Sequence, residues 1–124
     1  VVKLMIKSRI PVKGSRVLML GITFKENCPD IRNTKAIDIY HELREYDINV
    51  DVYDPWAKPA DVMHEYGISL TSDLTPPSGG WGAIILAVAH DEFKVINLKE
   101  HKDKGCVIYD VKGMLEKELV AGRL

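Results

Sequence analysis

The chain has 124 residues, of which 46% are hydrophobic and 28% charged, and a net charge of −1: one domain with enough apolar material for a real core, and no basic footprint for nucleic acid or an anionic membrane surface. No apolar run approaches the roughly 20 residues of a membrane span, and the N-terminus lacks a signal-peptide pattern. Two cysteines, Cys28 and Cys106, with no CxxC, make no disulfide framework, so a reduced, cytoplasmic setting is expected.

The chain opens "VVKLMIKSRI" at Val1 rather than Met. Residues 1–12 are read as the tail of a preceding linker or helix, and 13–124 as one domain of a longer polypeptide. "SRVLMLG" (15–21) is a continuous apolar run ending at Gly, the pattern of a buried parallel strand. After a polar loop, Asn33 or Thr34 can cap a helix whose apolar stripe is Ala36, Ile39, Tyr40, Leu43 and Tyr46. "INVDVYDP" (48–55) alternates as a strand and is ended by Asp54-Pro55. Pro59 suits the first turn of a short helix to about Tyr66, with Gly67 as its stop, and residues 68–70 read as a short strand. "TSDLTPPSGGW" is turn material. "GAIILAVAH" (82–90) reads as a buried strand neighbouring the first, Asp91 as the cap of a weak helix to about His101, "GCVIYDVKG" (105–113) as a fifth strand, and 114–119 as a helical turn.

Strands alternating with helices predict an α/β fold: a doubly wound, Rossmann-like three-layer sandwich with a mainly parallel sheet of about five strands. Such sheets bind ligands outside the carboxyl ends of their strands. Lys25 to Arg32, Asp54, His90 with Asp91, and Asp110 with Lys112 leave those ends, so the cations Lys25, Arg32 and Lys112 share one edge.

The loop "GITFKENCPDIRNT" (21–34) is odd for a dinucleotide fingerprint, because no further glycines follow Gly21. Lys25 and Arg32 can meet an anion near a helix start, or Arg32 can simply pair with Asp30 or Glu26 on a solvated loop. Asp54 is placed where an acid can bind a ribose, but without the glycines a turn or cap role fits better. His90 has no nucleophile near it in sequence and reads as a hydrogen-bonded structural histidine rather than a base. Trp56, Trp81 and Tyr53 can stack on a base, though packing is the simpler use. Neither cysteine has a partner marking an activated thiolate, and no spacing resembles a metal site.

Four motifs together, "G-x-x-F-K" (21–25), "D-x-R-x-T" (30–34), "V-x-V-x-D-P" (50–55) and "V-I-Y-D-V-K-G" (107–113), resemble the C-terminal domain of the UDP-glucose/GDP-mannose dehydrogenase family. The resemblance runs from about Lys13 to the end, and "ENCPDIRNT" is most similar to the bacterial branch acting on UDP-N-acetylhexosamines for surface polysaccharides. It implies an NAD-dependent oxidation of the C6 alcohol of a nucleotide sugar to a carboxylate. It places substrate contacts on Phe24 and Lys25, a contact to the NAD cofactor on Arg32, and a contact to the UDP part on Lys112. Many members carry Arg at that last position; Lys neutralises phosphate but gives up the bidentate fork. The resemblance further implies that NAD is held mainly by a domain absent from this chain. The catalytic Cys, Lys and Asp would lie in the N-terminal and central domains, the whole enzyme would be a homo-oligomer, and this chain alone would be inactive. The alternative is a stand-alone Rossmann-like module binding another phosphate ligand, or a purely structural interaction domain.

Overall fold

The computed structural model describes residues 5–6, 11–32, 34–72, 74–75, 77, 80–113, 115, 120 and 122–123. No polar residue interrupts 17–20 or 83–86, so both segments belong where both sheet faces are covered. They form β1 (Arg16–Leu20) and β3 (Ala83–Leu86), which pair in parallel from Val17 opposite Ala83 to Leu20 opposite Leu86. β2 (Asn49–Tyr53) flanks β1 and β4 (Val107–Asp110) flanks β3, both in parallel. β5 (Gly122–Arg123) lies parallel to β4 and completes the order β2-β1-β3-β4-β5.

The segment at 68–70, expected to be a strand, makes only one bridge, from Leu70 to Val52 beyond the β2 edge. Ile68 and Leu70 contribute side chains to the cluster around Val52 and Val62 rather than a ladder. The fifth strand is instead β5, in a stretch to which the sequence assigns no strand.

α1 (Ala36–Glu45) buries Ala36 and Leu43 and half-buries Ile39 and Tyr40, while Tyr46 lies beyond its end, 47% exposed. The cap position is Lys35, which makes no side-chain cap. Thr34 acts one residue earlier: its hydroxyl accepts from Ala36 N–H at 3.1 Å and donates to the Thr23 carbonyl at 3.1 Å. Asn33 lies outside the described residues. α2 (Pro59–Tyr66) begins on its proline and stops at Gly67, whose φ of 69° and N–H to Met63 carbonyl form a left-handed helix end.

The helix expected from Asp91 is two elements. A 3-10 turn (Asp91–Val95) inserts Phe93 into the core and leaves Val95 in solvent, and α3 (Leu98–Asp103) starts afresh at Asn97, whose side chain accepts from Glu100 N–H. Asp91 caps neither. Of the helical turn expected at 114–119 only Leu115 is described.

Alternation along the strands sorts the core into layers. Leu18, Leu20, Ile84, Leu86 and Ile108 face Trp81, Phe93 and Leu98 on one side. Val17, Met19, Ala83, Ile85 and Val107 face the other, where α1 and α2 contribute Ala36, Leu43 and Val62. Met5 is helical and fully buried against this second layer, while Ile6 beside it is exposed; otherwise only 11–12 of residues 1–12 are described. The expected three-layer α/β sandwich is the observed one. Because all strands run in parallel, their carboxyl ends share one edge.

Candidate functional site

The glycine-poor loop after β1 is shaped by packing against its own protein. Gly21 has φ of 102°, and a Cβ there would lie 2.5 Å from Val88 Cβ and 2.9 Å from Val88 N. The residue is glycine because the end of β3 crosses it, not because a pyrophosphate approaches. Beyond it Ile22 and Thr23 are buried, and Phe24 N–H donates to the Asp30 carbonyl at 2.7 Å, closing residues 24–30 into a compact excursion. Tyr66 of α2 donates to the Ile31 carbonyl and fixes the loop's far side.

Two buried acids organise the edge. One Asp54 oxygen accepts from Ile22 N–H at 2.8 Å, Thr23 N–H at 3.2 Å and His90 Nε2 at 3.0 Å; the other accepts from Trp56 N–H at 2.8 Å and Ala57 N–H at 3.1 Å. Burial pushes the Asp54 carboxyl up, but the hydrogen bond from His90 and the N–H groups of Ile22 and Trp56 outweigh it, so the group sits below the ordinary carboxylate range. Asp110 ends β4 in the same manner, accepting from the N–H groups of Lys112, Gly113 and Leu115 at 2.9, 2.8 and 2.7 Å. Asp54 is thus a turn-organising residue with no oxygen turned to solvent, and His90 is the satisfied histidine the sequence favours.

The cations are differently placed. Arg32 is paired with Asp30 through Nε at 3.0 Å and Nη2 at 3.1 Å, with its side chain 81% exposed. That hydrogen bond lowers the Asp30 carboxyl and raises the guanidinium. Lys25 and Lys112 extend into solvent. Phe24, 53% exposed, and Lys112 line one groove of about 930 Å³ that runs between α1 and the sheet face over Ile85, Val88 and Val111. Lys25 does not line it. α1 runs back from the carboxyl edge, so the groove mouth carries Lys35, Lys112, Thr34 and Phe24, and its far end carries Glu42 and Tyr46.

Lys35 is the member sequence reasoning missed. A cation at a helix start faces the positive end of the dipole, an unfavourable pairing that a shared anion would reverse; that misfit is the signal available in the sequence. Of the aromatic residues, Trp81 is buried in the core, Tyr53 tilts on Phe93, and Trp56 stacks on His90 at 6.0 Å with its indole N–H donated to Glu92. Burial pushes the Cys106 thiol up to about 12, which makes it inert as a nucleophile. Cys28 is half-buried in the loop. Among the described residues no helix is long and apolar enough to cross a membrane.

Residues 18–117 match the UDP-glucose/GDP-mannose dehydrogenase family, UDP binding domain. A UDP-N-acetyl-D-glucosamine 6-dehydrogenase of Pseudomonas aeruginosa is 52% identical over 120 residues, and its counterpart in Salmonella typhi 48% over 121. Both alignments cover 94% of this chain and 28% of the relative, so the chain spans little more than a quarter of their length. Among solved structures, the UDP-N-acetyl-mannosamine dehydrogenase of Staphylococcus aureus superposes with a TM-score of 0.66 at 28% identity, covering 98% of this chain and 28% of that one. The UDP-D-ManNAc dehydrogenase of Pyrococcus horikoshii shares the fold with a TM-score of 0.74 at 22% identity over the same shares.

Proposed function

Because this chain belongs to the UDP-glucose/GDP-mannose dehydrogenase family as its UDP-binding domain, we propose that it holds the nucleotide end of a UDP-sugar at the mouth of the groove beside α1. The polypeptide that contains it then oxidises the sugar's C6 alcohol to a carboxylate with NAD+, in the cytoplasm, for surface polysaccharide synthesis. The observation that carries the reading is the convergence of Phe24 and Lys112, from opposite ends of the chain, on that one groove.

Lys112 and Lys35 supply charge for the diphosphate, Phe24 an apolar plate, and Lys25 a third cation reaching out of the loop toward the sugar. Each charge-assisted bond to phosphate contributes roughly 1.5–3 kcal/mol. Gly21 gives a pyrophosphate no close approach in this domain, since Val88 occupies the space beside it. Arg32, standing 81% exposed on the loop, is positioned to reach a cofactor carried by a neighbouring domain. Residues 13–124 form the binding domain, and the catalytic groups belong to the remainder of the polypeptide.

The test is calorimetry of the complete polypeptide with UDP, UDP-N-acetylglucosamine, UDP-glucose and GDP-mannose, repeated on Phe24→Ala and Lys112→Ala. Uridine nucleotides should bind and both substitutions should weaken them. Binding unaltered in both variants would remove the assignment.

A further inference from the structure

The strongest unexplained feature is the buried histidine under Trp56. A fully buried imidazole among Phe93, Trp56 and strand ends could be replaced by an apolar ring if filling space were its task, and burying polar atoms is unfavourable unless every one is satisfied. Here every one is. Asn27 N–H donates to Nδ1 at 2.8 Å, so Nδ1 carries no proton and Nε2 does. Nε2–H points at Asp54 Oδ2, 3.0 Å away, with Thr23 Oγ1 also at 3.0 Å. Since Nε2 is the donor, the Thr23 hydroxyl proton is free to go to the Lys25 carbonyl, at 3.0 Å. A second proton on the ring would set Nδ1–H against Asn27 N–H.

We infer that His90 is a positioning residue of the nucleotide-sugar site, whose neutral ring fixes the Phe24–Lys25 excursion at both ends by accepting from Asn27 N–H and steering the Thr23 hydroxyl onto the Lys25 carbonyl. The neighbouring residue completes the grip: Asp91 N–H donates to the Asn27 side chain at 3.0 Å, and Asn27 sits in the left-handed region at φ of 53°. The segment carrying Phe24 and Lys25 is therefore bolted to the end of β3 at Asn27 and to the end of β2 through Asp54. The functional part of this inference rests on the UDP-sugar reading above; the structural part does not.

Two substitutions separate the ring's two nitrogens. His90→Asn places an amide oxygen near Nδ1 and keeps an acceptor for Asn27, but gives Asp54 no donor. His90→Gln reaches the Nε2 position and keeps a donor for Asp54, but leaves Asn27 N–H without its acceptor. In the complete polypeptide, His90→Asn should melt lower yet keep Asn27 amide protection and, with only the Thr23 end released, lose less UDP affinity than His90→Gln. His90→Gln should melt closer to the parent, lose Asn27 protection in hydrogen exchange, and bind UDP about tenfold or more weakly, because displaced positioning groups are penalised steeply. A merely structural histidine would make affinity follow melting temperature in both variants, and that result overturns the inference.

Phe24→Ala and Lys112→Ala measured alongside distinguish the two readings. If they leave UDP affinity unaltered, the site assignment falls, while the order of Asn27 protection still decides whether His90 holds the loop. If they weaken binding and His90→Gln does not, only the positioning role is lost. Should neither His90 variant fold, the ring-nitrogen spectrum of the unaltered protein decides: a neutral Nε2–H tautomer at His90 is required, and an Nδ1–H tautomer overturns the inference.

Discussion

Replacing Gly21 by Ala tests whether the glycine-poor loop is shaped by the protein or by a ligand. The new Cβ would meet Val88 Cβ at 2.5 Å, Val88 Cγ2 at 2.8 Å and Val88 N at 2.9 Å, on a backbone at φ of 102°. An L-residue held in that region costs of order 1–3 kcal/mol. Forcing a methyl into a filled site costs about 1–3 kcal/mol more, for a combined loss of about 2–6 kcal/mol. At about 3–5 °C per kcal/mol for a chain of this size, the melting temperature should fall by at least about 6 °C. Urea denaturation monitored through Trp56 and Trp81 gives the free energy directly. A cycle with Val88→Gly divides it: removing the Val88 side chain relieves the two side-chain contacts but neither the Val88 N contact nor the φ strain, so coupling should recover only part of the loss. A loss below about 0.5 kcal/mol for Gly21→Ala, within the range of an ordinary surface change, would refute the close-approach argument and reopen Gly21 as a ligand-facing glycine.

Lys112→Ala and Lys25→Ala should each weaken UDP-sugar binding about ten- to a hundredfold, from 1.5–3 kcal/mol at ~1.4 kcal/mol per decade, with melting temperatures nearly unmoved; calorimetry and melting on the same samples check both halves. Asp54 lies below its unfolded range when folded, so its stabilisation is fully present above about pH 4 and disappears as pH falls through the folded value. Asp54→Asn should therefore be less stable at neutral pH and show a shallower acid loss, read from melting temperature against pH. Arg32→Ala should raise the NAD+ concentration needed by the complete enzyme without changing its melting temperature, because the Asp30–Arg32 pair is exposed; unchanged NAD+ dependence would leave Arg32 only that pair.

What the sequence made legible was local or periodic. The unbroken apolar runs of β1 and β3 declared both burial and adjacency, and Pro59 and Gly67 bracketed α2 because each suits only one helix end. Residues 68–70 carried the right apolar pattern, yet a strand needs a partner edge, and only Leu70 reaches one. The split at 96–97 was hidden because it depends on seating Phe93 in the core, a tertiary demand. At the site, the parallel topology was enough to gather the cations on one edge, and Asp30–Arg32 was readable at two residues' separation. The Asp54–His90 pair, 36 residues apart, left no local trace of partnership, and the facing of Lys35 toward the groove emerged only once α1 was laid against the sheet.

Asp54 and Asp110 have a consequence for how this domain can change. Asp54 takes four backbone N–H groups and Asp110 three, the donors that glycine-rich nucleotide folds turn outward to phosphate. The protein has supplied its own anions to its own turns, so each turn is complete before any ligand arrives. Under the proposed function, recognition is thereby delegated to side chains standing on a scaffold that does not depend on them. In the site proposed above, exchanges at 25, 35 or 112 would alter ligand contacts while the backbone beneath stays the same, leaving the specificity of this edge free to drift independently of its fold.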